Sequence, residues 1–452
     1  MRKIILALTI LVFNCVSGQN YYMTNPEGFG AAATVGGNAS PVTVTTYTAL
    51  KNALNSTAPA NAVILVSGTI DCVYTSVTLT NKTIIGLPGA RLRNTQITIG
   101  NSATSAANSG ILYIKAGSNN VIIRNLIFQG PGAYDVDGRD LLTNEGRNIW
   151  VDHCEFQDGM DGNFDIKGAA DNTTVSWCKF TYLQPAIAGG SGGSADHRFS
   201  NLVGSAVDDL PSSVGRYSVT FKNCYWAEGC KARMPRARNA ELHILNCYFK
   251  TTVSGASAIG LGAGNSGTTC YVENCNFEQV TTISSPVTEG SGTTSVKFDG
   301  CTKGIIPTPV TGLDKLAATK PTYSYTVLPV TDVAAFVGNV TCGAGATLNV
   351  TASGEISTAC PNLSIESNTK KVGYIYPTTV DTILNVDLSD DATEGYTTIN
   401  IFSITGEKVF SHSNNFISSN KLSFNLTHLT TGLYLCNLSK GVNSTTWKFI
   451  KL

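Results

Sequence analysis

The feature that most constrains the fold is a short pattern that recurs between residues 121 and 279. Each copy has a short alternating strand, a polar or aromatic residue, a Cys or Leu, one further residue and usually an aromatic residue. The copies occupy residues 121–130, 149–158, 173–182, 218–227, 242–251 and 270–279. They lie about 23–28 residues apart, or about twice that across one insertion, which is the spacing of a stacked solenoid. Because a single coil cannot bury its own apolar face, the pattern predicts a parallel β-helix whose coils stack about 4.8 Å apart.

This stacking predicts two columns of equivalent side chains. The first column is internal and contains Leu126, Cys154, Cys178, Cys224, Cys247 and Cys275. The second column lies one residue earlier and contains Asn125, Asn223, Asn246 and Asn274. Asparagine amides at such a turn can hydrogen-bond along the stack. His153 has the register of the asparagines, so we interpret it as a hydrogen-bonded structural residue and not as an acid–base catalyst.

The cysteines fit this internal register better than a disulfide framework. A buried cysteine behaves as a small apolar residue, and this interpretation accounts for the whole column. Disulfides between Cys224 and Cys230 and between Cys342 and Cys360 stay open as alternatives, because a secreted protein can form them. No CxxC motif or Cys/His spacing indicates a zinc site.

The first residues have the composition of a secretory signal peptide. Residues 1–18 contain two early cations, an apolar core and small residues at the end, with cleavage expected after Gly18. The apolar run is too short to span a membrane. Cys15 leaves a lipid anchor as an alternative, although Phe13 and Asn14 are larger than the residues expected before such a cysteine. The sequence therefore predicts a secreted, extracellular protein, and attachment to the cell surface stays open.

Changes in composition divide the rest of the chain into three parts. Residues 19–346 contain the repeat, and the leucine spacing within 46–55 predicts an amphipathic helix that caps the open end of the solenoid. A stretch rich in Thr, Ser, Gly and Asn at 347–368 predicts a linker. Residues 369–452 alternate like the strands of a small β-sandwich. The fold class is therefore all-β.

The charge balance excludes a bulk electrostatic attraction to nucleic acid. The chain has 31 basic and 31 acidic residues, so its formal net charge is zero. An acidic ligand must instead meet a local basic patch. One such patch is the turn 230–243, which contains Lys231, Arg233, Arg236 and Arg238.

Acidic residues recur at matching places on two adjacent coils. Asp161 and Asp165 are four residues apart, and Asp137 and Asp140 belong to the preceding coil. Oxygen ligands without a nearby His or Cys favour a hard cation such as Ca²⁺ over a transition metal. If the coils stack in register, the acidic turn and the basic turn project from the same flank. That arrangement suits an anionic polymer.

These residues resemble polysaccharide lyase family 1, the pectate lyases, over 26–346. The resemblance is carried by the segments EGFGAAATVGG, NKTIIG, NIWVDHCEF, DGNFDIKGAADNTTVSWCKF, RMPRAR and VTCGAGAT. It implies a right-handed parallel β-helix that cleaves de-esterified polygalacturonate, an acidic plant polysaccharide, by Ca²⁺-assisted β-elimination. The products would be 4,5-unsaturated oligogalacturonides.

The resemblance also implies roles for individual residues. The implied calcium ligands are Asp140, Asp161, Asp165 and, as a fourth, Asp137. The implied catalytic base is Arg233, and an alkaline pH optimum is expected because arginine is normally protonated. The implied substrate-binding residues are Arg238, Lys167, Arg198 and Lys231. Arg198 is included because the family has a further substrate-binding lysine in this region, whereas TYLQPAIAGGSGGSADHRFSNLVG contains none.

The C-terminal segment resembles the sorting domain of the type IX secretion system. The segments YIYPTTVDTILNV, FSITGEKVF, LTTGLYL and KFIKL carry this resemblance across about 370–452. It implies that the outer-membrane secretion machinery is a partner, and the enzyme itself is expected to be a monomer. A carbohydrate-binding sandwich is the alternative for this segment. For the whole chain, the alternatives are a pectin lyase, a β-helical hydrolase of the polygalacturonase type, and a non-catalytic polysaccharide-binding adhesin.

Overall fold

A computed structural model gives the architecture of most of the chain. It describes residues 25–34, 41–57, 62–97, 109–135, 138–190, 192–211, 215–287, 289–357, 373–388, 394–404, 406–416, 421–440 and 443–452. The predicted signal peptide, Asp137 and Cys360 therefore lie outside the described residues. The chain divides into two compact units, Met1–Ala359 and Cys360–Leu452.

The first unit is built from three long sheets, and one strand of each sheet belongs to each coil. Sheet A has the strand order Val42–Val44, Val63–Val66, Thr80–Gly86, Asn119–Arg124, Arg147–Asp152, Asp171–Ser176, Tyr217–Lys222, Ala240–Leu245, Thr268–Glu273 and Thr294–Asp299. Sheet B contains Thr69–Asp71, Arg91–Arg93, Ile127–Gln129, Glu155–Gln157, Lys179–Thr181, Tyr225–Trp226, Tyr248–Lys250, Asn276–Gln279, Thr302–Lys303 and Thr308–Pro309. Sheet C contains Thr75–Val77, Leu112–Ile114, Leu142–Asn144, Phe164–Ile166, Leu202–Val203, Arg236–Ala237, Ser257–Gly262 and Thr282–Val287.

Neighbouring coils pair in parallel and in register, which confirms the predicted parallel β-helix. In sheet A, for example, Ile149 pairs with Val121 on one side and with Thr173 on the other. The last pair of sheet B, at Thr302–Lys303 and Thr308–Pro309, is antiparallel because these two strands form a hairpin at the end of the stack.

The predicted internal column is confirmed. Leu126 and the five predicted cysteines are fully buried, and Cys301 extends the column by one coil. Cys224 and Cys230 are free thiols, so no disulfide joins them. The aromatic residues that end the repeats form a second internal ladder with ring centroids 4.3–5.5 Å apart, made of Phe128, Phe156, Phe180, Trp226, Phe249 and Phe277. Each fully buried ring contributes about 1.5–3 kcal/mol to the hydrophobic core.

The asparagine column is also confirmed, and its backbone explains the residue type. The four predicted asparagines have φ between 46° and 57°, a left-handed conformation that asparagine tolerates better than most residues. His153 shares this conformation, with φ of 47°. Its Nδ1 lies 2.8 Å from Asp152 Oδ2, so it is hydrogen-bonded as predicted.

Helices and a hairpin cover the ends and flank of the stack. Helix α1, Tyr47–Asn55, begins after the N-cap Thr46 and buries its two leucines in the core, as predicted. Helix α2 is Val330–Val337, and a 3₁₀ helix occupies Phe29–Ala32. None of the helices in the described residues has the length and hydropathy that crossing a lipid bilayer would require.

The segment that we predict as a linker contains a short hairpin. Asn349–Val350 pairs with Ile356–Ser357 in a short hairpin. Its apolar residues pack against Val63, Leu65 and Ile85. Cys342 is disulfide-bonded, but Cys360, which the sequence leaves open as its partner, lies outside the described residues.

The C-terminal unit contains two sheets that share one core, as expected for a small β-sandwich. The three-stranded sheet has the order Gly373–Tyr376, Ile383–Leu388 and Lys421–Asn425. The five-stranded sheet has the order Thr379–Val380, Asn443–Lys451, Gly432–Lys440, Glu394–Ser403 and Lys408–Phe416. Leu384 and Val386 from the first sheet pack with Ile401, Leu438 and Phe449 from the second.

Candidate active site

The candidate site is formed by the turns that lead from sheet B into sheet C. Single β-bridges join Gly162 to Phe199 and Phe199 to Ala232, although these residues lie on three successive coils. Asp161 and Arg233 are the direct neighbours of the two outer members of this row. Stacking in register therefore brings the acidic turn and the basic turn to one flank, as the sequence predicts.

Three of the predicted calcium ligands form a buried carboxylate cluster. Asp140, Asp161 and Asp165 are 3%, 6% and 4% exposed. Asp165 follows Phe164 on a sheet C strand, and its Oδ1 accepts a hydrogen bond of 3.0 Å from the backbone N–H of Leu202. Asp137, the fourth predicted ligand, lies outside the described residues, so its role stays a prediction.

Burial and repulsion between the carboxylates raise the pKa of two of the three groups. Burial raises the pKa of Asp140 against the opposing charge of Lys167. Burial and then the negative charge of Asp140 raise the pKa of Asp165 well above its usual range. In Asp161, by contrast, a hydrogen bond from His197 outweighs burial and lowers the pKa. For two of the three carboxylates, the neighbouring positive charge is therefore too small to offset burial and the repulsion from the other carboxylates.

The residues of this cluster fit a hard cation. Asp140 Oδ1 is buried and has no hydrogen-bond partner among the described residues. A Cβ atom added at Gly162 would lie 2.6 Å from that oxygen and 3.6 Å from Asp165 Oδ1, so the absence of a side chain leaves space between the two carboxylates. Within the described part of the chain, no three His, Cys, Asp or Glu side chains already converge as a metal site. Oxygen donors, a spare lone pair and excess negative charge nevertheless match what Ca²⁺ requires.

Arg233 lies next to the carboxylates and is held by an aromatic ring. Its guanidinium carbon lies 4.4 Å from the centroid of the Phe199 ring, within the range of a cation–π interaction. Its backbone φ is 58°, an uncommon conformation for a residue other than glycine. No ion pair joins Arg233 to any carboxylate of the described residues, which distinguishes it from the other arginines of this flank.

Lys167 belongs to the same cluster. Its Nζ lies 3.7 Å from Asp140 Oδ2. Burial opposes its charge, but the carboxylates of Asp140 and Asp165 outweigh burial and raise the pKa of Lys167. It is therefore a cation at neutral pH, in the place where the sequence predicts a basic residue beside the site.

The other predicted substrate-binding residues are already paired. Arg238 binds the carboxylate of Glu289, and Arg198 forms two hydrogen bonds of 2.8 and 2.6 Å with Asp196. Lys231 donates to the carbonyl oxygen of Ser254. The structure thus places these cations on the expected flank, but it gives each of them an internal partner.

Sequence reasoning missed two residues that connect the acidic and basic turns. His197 Nε2 lies 2.7 Å from Asp161 Oδ1, and its Nδ1 lies 3.4 Å from Asp135 Oδ1. Its ring packs 4.3 Å from that of Phe199. Both residues lie in the segment ADHRFSNLVG, in which the resemblance implies a role only for Arg198, in place of a missing lysine.

The WVDH motif forms a separate cluster where a sheet A strand ends and leads into sheet B. Asp152 accepts hydrogen bonds from Arg124 at 2.9 Å and from Ser176 at 2.5 Å. Despite burial, electrostatic interactions with His153 and Arg124 lower the pKa of Asp152 to about 2. This cluster includes neither the aspartates of the acidic turn nor Arg233, which agrees with a structural role for His153.

Comparisons with known proteins identify relatives of this chain. Residues 3–349 match the family model described as pectate lyase, and residues 374–452 match that of a secretion system C-terminal sorting domain. A pectate trisaccharide-lyase of Thermotoga maritima is 34% identical over 243 residues, which cover 51% of this chain and 56% of that protein. A pectate lyase of Emericella nidulans is 30% identical over 229 residues, covering 49% and 59%. The chain thus spans a little over half the length of the curated relatives it matches.

Solved structures agree on the fold. A pectate lyase bound to a hexasaccharide has a TM-score of 0.53 at 19% identity, covering 74% of this chain and 99% of its own. A pectate lyase from a Bacillus species in complex with trigalacturonate has a TM-score of 0.51 at 21% identity, covering 69% and 96%. At these identities the likeness concerns the parallel β-helix alone.

Proposed function

Because this chain belongs to the pectate lyase family, we propose that it is a secreted lyase that cleaves de-esterified polygalacturonate by β-elimination. The observation that carries this proposal is the buried carboxylate cluster on the same flank as an arginine, Arg233, that forms no ion pair with a described carboxylate. A hydrolase would need a carboxylic acid and a second carboxylate placed on either side of the glycosidic bond. Here the three buried carboxylates lie together in one cluster, as the ligands of a metal ion would.

Each residue of the site has a place in this reaction. Asp140, Asp161 and Asp165 would hold Ca²⁺, and the bound ion would polarise a uronate carboxylate as a Lewis acid. Arg233, in its neutral form, would remove the proton at C5 of the sugar. The electron pair of that C–H bond forms the C4–C5 double bond, while the C4–O4 bond breaks and the oxygen leaves with its electron pair. Lys167 adds a fixed positive charge beside the carboxylate on which negative charge develops.

The test of this proposal is the ultraviolet absorbance of polygalacturonate digests, measured with Ca²⁺ and with excess chelator. A 4,5-unsaturated end absorbs, so the absorbance should rise with Ca²⁺ and fail to rise with chelator. Shortened polymer without absorbance would replace the lyase with a hydrolase. Intact polymer that still binds the protein would favour an adhesin.

Methyl-esterified pectin separates the lyase from the related pectin lyases. We expect cleavage of polygalacturonate to exceed that of highly esterified pectin, because a methyl ester carries no charge for the cluster to bind. Faster cleavage of the esterified polymer, without a requirement for Ca²⁺, would overturn the choice of substrate.

Substitution of Phe199 should slow the reaction without weakening substrate binding. In Phe199→Leu, Arg233 loses the ring that holds its guanidinium, so we expect kcat to fall about tenfold, since a cation–π contact is worth about 0.5–2 kcal/mol. KM should change little, and Phe199→Tyr should restore the rate. Phe29→Leu is the matched control, because Phe29 is also half-buried and packs edge-on against an aromatic ring, Tyr323, at 5.1 Å. Equal losses in the two leucine variants would mean a general effect on the fold.

The C-terminal unit would direct export. We propose that residues 369–452 are recognised by the outer-membrane secretion machinery of a type IX system, because residues 374–452 match a secretion sorting domain. A chain that ends at residue 368 should fold and cleave polygalacturonate when produced in the cytoplasm, but it should fail to reach the medium in a host with this system. Equal export of both chains would contradict the sorting role.

A further inference from the structure

Glu289 connects the two arginines that end the basic turn. Its carboxylate accepts hydrogen bonds from Nε and Nη2 of Arg238, the latter at 3.1 Å, and from Nη2 of Arg236. The remaining terminal nitrogen of Arg238 donates to the carbonyl oxygens of Gly204 and Ser205, at 2.9 and 3.4 Å. Every nitrogen of the Arg238 side chain is therefore engaged within the protein.

A glycine on the intervening coil, Gly262, makes this reach possible. Arg236 pairs with Gly260 on the next coil of sheet C, and Glu289 belongs to the coil after that. A Cβ atom added at Gly262 would lie 3.0 Å from Glu289 Oε2 and 3.2 Å from Arg238 Cγ. Because the intervening coil has no side chain here, the carboxylate can cross a full coil spacing to reach both guanidinium groups.

The pairing is accessible from solvent and leaves positive charge unbalanced. The side chains of Arg236, Arg238 and Glu289 are 26%, 11% and 24% exposed. One carboxylate faces two guanidinium groups, so the trio has a net charge of +1. The Nε of Arg236 is also buried without a hydrogen-bond partner among the described residues. A second anion would therefore be attracted to the trio, but it would have to displace or crowd Glu289.

We propose that Glu289 is a specificity-determining residue that competes with the substrate, because its carboxylate occupies the guanidinium groups that a uronate carboxylate would bind. This inference rests on the proposed function. The trio follows the carboxylate cluster along the same flank of the stack, where the next sugars of a bound polymer would lie. Charge-assisted, bidentate binding of a carboxylate is what an arginine fork does best. The internal carboxylate lowers the affinity for a fully ionised chain and has no such effect on esterified sugars.

The test is the affinity of full-length Glu289→Gln for trigalacturonate, measured by calorimetry in an Arg233→Ala background that prevents turnover. The amide keeps the size of the side chain but removes its charge. Trigalacturonate should bind about five to ten times more tightly, which is the size of one charge-assisted pair at a half-buried position. The gain should shrink at high salt. It should be absent for the trimethyl ester of trigalacturonate, because that ligand has no carboxylate to compete.

Two further variants keep the test decisive. Glu289→Asp retains the charge but is one methylene too short to span the coil, so it should also bind trigalacturonate more tightly. Glu278→Gln is the matched control, because Glu278 is a partly exposed carboxylate paired with Lys250 at 2.8 Å on sheet B. It should leave the affinity unchanged.

Unchanged or weaker binding in both Glu289 variants would overturn the competition and would mean that Glu289 orients the arginines for the substrate. Failure of the proposed function itself has a different signature. In that case the unsubstituted protein would neither bind trigalacturonate nor produce absorbance from polygalacturonate.

Discussion

Arg233→Lys should lose about a thousandfold in kcat on polygalacturonate, within the range that one general base contributes. Lysine keeps a positive charge, so the binding of an anionic substrate should survive and KM should change by less than about threefold. What lysine lacks is the planar guanidinium that stacks 4.4 Å from the centroid of the Phe199 ring. The base would then lie in a different position relative to the proton at C5. The rate of proton transfer falls sharply when the reacting groups are misplaced. Initial rates of absorbance with saturating Ca²⁺ measure both constants.

The control for this substitution is Arg93→Lys. Arg93 pairs with Asp71 at 2.6 Å on sheet B, with its side chain 38% exposed, and no described residue of the candidate site is among its hydrogen-bond or ion-pair partners. We expect its kcat to equal that of the unsubstituted protein. If Arg233→Lys retained more than about a tenth of the activity, Arg233 would be a binding residue and another group would have to be the base.

The repeat made most of the β-helix predictable because stacking acts on every coil in the same way. A residue that fits the internal column at Cys154 fits at Cys178 for the same reason, and the left-handed turn favours asparagine at Asn223 as it does at Asn246. Prediction from such a pattern needs only the register, and the sequence supplies it. Residues 349–357 carry no such pattern, so their hairpin was not predicted.

The partners of the site residues could not be predicted in the same way. Glu289 reaches Arg238 only because Gly262 leaves the intervening coil without a side chain, and nothing in the repeat marks that gap. His197 and Phe199 lie within the insertion between the repeat copies 173–182 and 218–227, whose path is not fixed by the coil period. The sequence therefore predicted which residue types gather on this flank. It did not predict which of the cations would already be neutralised there.

Asp165→Asn should have opposite effects on stability and on activity. Asp165 and Asp140 are buried carboxylates that repel each other, and burial followed by the charge of Asp140 raises the pKa of Asp165 well above its usual range. Its ionised form therefore destabilises the folded protein at neutral pH when no cation is bound, and this loss grows as the pH rises through the folded-state pKa. Asparagine is uncharged and its Oδ1 can still accept the N–H of Leu202. In chelator at neutral pH, we expect the variant to melt a few degrees above the unsubstituted protein.

With Ca²⁺ the order should reverse, because the unsubstituted protein gains stability from the bound ion while Asp165→Asn does not. Activity should fall about a hundredfold or more, since polarisation of the substrate carboxylate depends on a cation that is bound by all of its ligands. Thermal denaturation with and without Ca²⁺, together with calcium calorimetry, separates the two effects. Asp158→Asn is the matched control, because Asp158 is a buried carboxylate in the turn that contains Asp161, but its Oδ1 accepts the backbone N–H groups of Leu183 and Gln184. It should keep the calcium-dependent rise in melting temperature. An equal calcium affinity in Asp165→Asn and the unsubstituted protein would remove Asp165 from the metal site, and the excess negative charge of the cluster would then need another explanation.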